Sequence, residues 1–69
     1  MTGIEYRRHI ERVGFTVLDA ARFFGVGERA GRRWAAVGPP DAVAKFLHLM
    51  DALHLSADRV RQLLGESGR

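Results

Sequence analysis

The chain has 69 residues, no cysteine and two prolines, enough for one small core and no disulfide framework. Eleven basic against eight acidic side chains give a net charge of +3, compatible with a polyanionic partner but too small to require one. No run approaches the roughly 18 apolar residues of a membrane span, and no apolar stretch of a secretory signal follows the charged Glu5, Arg7 and Arg8. A cytoplasmic address with no membrane partner is expected.

Thr2 and Glu5 have the spacing of a capping box, and Ile4, Tyr6, Ile10 and Val13 recur at near-helical intervals up to Gly14. A first helix is expected over residues 2–13. Thr16 and Asp19 repeat the capping logic, Phe15 stands where it can staple onto Ala20, and Gly25 supplies the stop, giving a second helix over 16–24. Val26 and Gly27 form a tight connector, and residues 28–36 run without a breaker to Gly38, Pro39 and Pro40, giving the third.

Pro40 suits the first turn of a fourth helix, with Asp41 at the positive end of its dipole and Val43, Phe46, Leu47, Met50 and Leu53 following at helical spacing. Ser56 caps a short fifth helix containing Val60, Leu63 and Leu64 and closed by Gly65. Strict alternation of apolar and polar residues occurs nowhere, so the expected class is all-α, a five-helix domain over residues 1–65 with a flexible tail at 66–69.

The most informative stretch runs from Phe15 to Ala35, FTVLDAARFFGVGERAGRRWA. Small Ala21 permits a close helix crossing, Gly25 takes the turn, Val26 plugs the corner and Trp34 packs the back of the third helix. In these features it resembles the helix-turn-helix of the phage-repressor-like family, the Cro and lambda-repressor or XRE type. The resemblance implies a lambda-repressor-like fold whose third helix enters the major groove of double-stranded DNA. At about 100° per residue, Glu28, Arg29, Arg32, Arg33 and Ala36 share one side of that helix, with Arg32 central and Arg33 nearer the edge. Ala30, Gly31, Trp34 and Val37 lie opposite.

Arginine forks can read guanine O6 and N7, so Arg29, Arg32 and Arg33 are candidate base readers; the competing reading is a solvated charged face. Glu28 can accept from cytosine N4 or simply complement the helix dipole. Thr16, Arg22, Gly27 and Lys45 are candidate phosphate contacts, and Thr16 serves equally as a plain cap. Trp34 is assigned to the core rather than to base stacking by its angular position.

Two positions depart from the family pattern. Gly31 stands where a branched aliphatic residue is usual, so the third helix is either loosely packed or unusually close to a neighbour. Val17 replaces a polar residue that would buttress a base-reading side chain. His9, His48 and His54 lack metal spacing and read as surface or interface residues. Nothing suggests a cofactor, a small-molecule ligand or catalysis: both serines sit outside any plausible triad.

One helix-turn-helix makes few contacts, so a homodimer reading an inverted repeat, as a repressor or autorepressor, is the first functional expectation. Leu49, Leu53, Leu55, Leu63 and Leu64 are its candidate dimer surface, or else part of the monomer core. The alternative is a protein-interaction module, an antitoxin or inhibitor, on the same scaffold.

Overall fold

The computed structural model describes residues 1–65, which form α1 (Gly3–Val13), α2 (Val17–Phe23), α3 (Glu28–Val37), α4 (Asp41–Ala52) and α5 (Ala57–Leu63). α1, α2 and α3 each begin and end within one residue of their expected bounds, α4 and α5 stand where the fourth and fifth helices were expected, and no strand occurs among the described residues. The chain is therefore all-α. The expected tail at 66–69 lies outside the described residues.

The caps explain where the helices begin. Thr2 and Glu5 form the full reciprocal box, with Thr2 Oγ1 accepting from the Glu5 N–H at 3.1 Å and Glu5 Oε1 accepting from the Thr2 N–H at 2.7 Å. Thr16 and Ser56 each accept from the backbone N–H three residues on, at 3.0 and 3.1 Å. Pro40 precedes α4 as its cap, one position earlier than expected. Its extended backbone leads into the helix, which starts at Asp41.

The ends of α1, α2 and α4 share one device. After α2, the Val26 N–H reaches the Ala21 carbonyl at 2.9 Å while Gly25 N–H reaches Arg22 at 3.1 Å, with Gly25 left-handed at φ 74°. This paired closure satisfies carbonyls that a helix end otherwise orphans. It recurs after α4 with His54 in the left-handed place at φ 54°.

The core forms where α1, α2, α3 and α4 meet, with α5 closing it through Ala57 and Val60. Tyr6, Ile10, Leu47 and Met50 are its largest fully buried side chains. Trp34 meets Tyr6 edge-on with centroids 6.1 Å apart, and Phe24 on its other flank at 6.0 Å; such edge contacts favour the ring quadrupoles. Trp34 is thus core, as its angle predicts.

Four expectations need correction. Ile4, Val37 and Leu53 are exposed at 65%, 65% and 58%, because the faces that bury are centred elsewhere: Gly3, Tyr6, His9, Ile10 and Val13 on α1, and Gly31, Trp34 and Ala35 on α3. His9, expected at the surface, is only 8% exposed. His48 and His54 are exposed.

Candidate functional site

α3 is set by contacts along its buried stripe. Gly31 lies so close to α2 that a Cβ added to it would stand 2.7 Å from the Cβ of Ala21. Of the two readings of Gly31, the close approach is the observed one. Farther along, Gly3 of α1 brings its backbone against α3, where an added Cβ would stand 2.5 Å from the Ala35 carbonyl oxygen. Arg7 Nε donates to that same oxygen at 3.1 Å. Two backbone approaches, one on each neighbouring helix, therefore hold α3 by its inner side.

The outer side carries Glu28, Arg29, Arg32 and Arg33, all exposed. Since Gly31, Trp34 and Ala35 are the buried positions, the point opposite them falls between Arg29 and Arg33, with Ala36 beside it. Arg32, expected at the centre, sits on the flank. There its guanidinium pairs with the Glu28 carboxylate four residues earlier, both side chains over half exposed. Acid preceding base at this spacing is the favourable order and contributes roughly 0.3–0.5 kcal/mol at an exposed site. Arg29 and Arg33 enter no ion pair among the described residues.

Gly27 caps α3 through backbone alone, with no side-chain hydrogen bond, and a Cβ added there would meet nothing within 4 Å. Free N–H groups at this end are open to an anion. Thr16 is exposed at the start of α2, but its hydroxyl already accepts from Asp19. Arg22 is exposed beside Leu18 on the outer face of α2, about 120° round from Thr16.

Lys45 is exposed on α4 and shares a face there with Leu49 and Leu53, so it groups with the apolar surface and not with the α3 arginines. Leu49, Leu53, Leu63 and Leu64 are 54%, 58%, 60% and 56% exposed. Leu55 is half-buried and packs against the core. Among the described residues no group of three metal-ligating side chains occurs, and no helix is long and apolar enough to cross a membrane.

Two features of the site escaped the sequence reading. The Glu28–Arg32 pair was legible as an i, i+4 opposite-charge pattern. The anchoring of α3 by Gly3 and Arg7 had no sequence signal, since a bond between residues 28 apart leaves no local pattern. Compared with known proteins, the chain matches no family model, no curated protein and no solved structure.

Proposed function

We propose that this chain is a cytoplasmic, sequence-specific binder of double-stranded DNA, acting as a homodimeric repressor that lays the outer face of α3 in the major groove. The observation that carries the reading is the polarity of α3. Its Gly31–Trp34–Ala35 side is buried while three arginines project from the other, on a helix joined to α2 by the tight Gly25 turn. That is the arrangement of a recognition helix following a short turn, and it agrees with the resemblance to phage-repressor-like proteins in the residues 15–35. Arg29 and Arg33 are the foremost base readers, Arg32 and Glu28 act as a coupled flank, and Gly27 and Thr16 offer phosphate contacts, with Arg22 and Lys45 farther out.

Random-site selection on the purified protein, followed by titration of the selected duplex at two salt concentrations, tests the reading. An inverted repeat with half-sites about one helical turn apart is expected, with affinity falling steeply as salt rises. Failure to enrich any sequence counts against it.

A second reading rests on the exposed Leu49, Leu53, Leu63 and Leu64. In the first reading they meet a second copy; in a protein-interaction module they cover a different protein, and duplex binding is then weak and without sequence preference.

A further inference from the structure

α1 and α4 leave an open groove of about 370 Å³ between them, lined by Glu5, Arg8, His9, Arg12, Ala44 and His48. Its wall contains a buried imidazole: His9 is 8% exposed and stacks on His48 with centroids 5.4 Å apart and planes 26° apart. His9 Nε2 is buried without a hydrogen-bond partner. A buried polar atom left unmatched is costly and rare, and the imidazole that carries this one lines the cavity.

Of the three charged side chains that line the groove, two are basic. Arg8 and Arg12, four residues apart on the same face of α1, both line it. Arg12 Nε contacts Asp51 of α4 at 3.4 Å, with both side chains over half exposed, while Arg8 enters no ion pair among the described residues. The Glu5 carboxylate is already engaged by the Thr2 N–H.

We propose that this groove binds a small oxyanion, a carboxylate or a phosphate ester. Arg8 and Arg12 supply guanidinium donors, His48 offers the outer face of its ring, and the His9 ring stacked on it backs the groove. A groove of this size suits a small ligand, and forked guanidinium groups match the geometry of oxyanions. The groove lies on the flank of α1 facing away from Gly3 and Arg7, which hold α3. An anion bound there leaves the arginine face of α3 free, so the site is separate from the proposed DNA contact.

Nuclear magnetic resonance on the whole chain tests this, with inorganic phosphate and citrate titrated in parallel at ionic strength held constant with chloride. The expected result is saturable movement of the His9 and His48 ring signals and of α1 and α4 amides. The His9 titration midpoint should move upward when the anion is present, because a nearby negative charge favours the imidazolium. Arg8→Gln and Arg12→Gln should each weaken binding at least severalfold, and Arg59→Gln on α5 should not. Movement that never saturates, or binding by both groove variants equal to the parent, overturns the proposal. So does a duplex that moves the groove signals when phosphate and citrate do not, since the cations then serve the nucleic-acid backbone.

Discussion

Gly31 of α3 faces Ala21 of α2 so closely that a methyl group on Gly31 would lie 2.7 Å from the one Ala21 already carries. Neither methyl is the end of a flexible chain, so the helices themselves would have to separate. Gly31→Ala gains about 1 kcal/mol in helix propensity but incurs an overpacking cost of roughly 1–3 kcal/mol. A net loss of stability of about 1 kcal/mol is expected, read as a lower chemical-denaturation midpoint. Adding Ala21→Gly should recover part of the packing cost, whereas equal effects in both backgrounds would mean the contact does not control the crossing.

His54 adopts the left-handed conformation at φ 54° that Gly14, Gly25 and Gly65 occupy after other helices. A residue with a Cβ is disfavoured there by roughly 1–2 kcal/mol, offset in part by the greater freedom glycine gains on unfolding. The exposed imidazole lies outside the hydrophobic core, so its removal sacrifices no core packing. His54→Gly is therefore expected to stabilise the protein, by about 0.5–1 kcal/mol, and a thermal midpoint at or below that of the parent would show the turn is not strained.

Stability should fall at both ends of the pH range for different reasons. Burial, reinforced by the Arg12 charge and His48, pushes His9 below its ordinary value of 6.5 against the opposing pull of Asp51. Below that value the unfolded chain takes up the proton more readily than the folded one, so stability present above about pH 6.5 is lost as pH falls. Arg8 and Glu5, which line the same groove, complete the charged surroundings. Burial also pushes the Tyr6 phenol up from 10 to about 12; the unfolded chain then releases its proton first, and stability declines above pH 10. Denaturation midpoints across pH check both, and His9→Gln should flatten the acid limb while leaving the alkaline limb in place.

How much of this was legible in the sequence depended on range. Capping residues and glycine stops act over three or four positions, so Thr2, Thr16, Ser56 and Gly25 marked helix ends directly. Which side of each helix turned inward was decided by neighbours far along the chain. Val37 falls on the apolar side of α3 by hydrophobicity alone, yet it is exposed and Ala35 is buried instead, because Gly3 and Arg7 of α1 close on the Ala35 carbonyl. That rotation also moved the centre of the candidate site from Arg32 toward Arg29 and Arg33. His9 was misplaced for the same reason: its burial comes from α4, which begins some thirty residues later.

The proposed dimer uses the leucines that remain exposed. Leu49 on α4, Leu53 just past its end, Leu63 at the end of α5 and Leu64 just past it are all exposed, so they can desolvate against a second copy at roughly 25 cal/mol per Å². Sedimentation analysis should give a dimer at micromolar concentration, and Leu49→Glu with Leu53→Glu should return it to monomer with helical content unchanged. Leu55, half-buried and packed on the core, should instead lower stability when cut to alanine. A parent that stays monomeric at high micromolar concentration removes the dimer from the proposal.

The arginines of α3 provide the sharpest test, because a base reader and a phosphate contact fail differently when removed. Arg29 and Arg33 stand nearest the middle of the outer face and are free of ion pairs among the described residues. Arg29→Ala is expected to cost roughly 1–3 kcal/mol on the selected duplex and to relax preference at one base pair per half-site. Arg33→Ala should do the same if it reaches a base, or weaken all sequences alike and reduce the salt slope by about one if it reaches a phosphate. Arg32 must first leave Glu28 or carry it along, so its removal should be milder than that of Arg29. Glu28→Gln separates the two roles of the acid: if Glu28 only holds Arg32, affinity changes without loss of base preference, whereas a cytosine reader loses preference at one position. Circular dichroism must match the parent in every variant. If properly folded Arg29→Ala and Arg33→Ala proteins both bind as tightly and selectively as the parent, α3 is not the element that enters the groove.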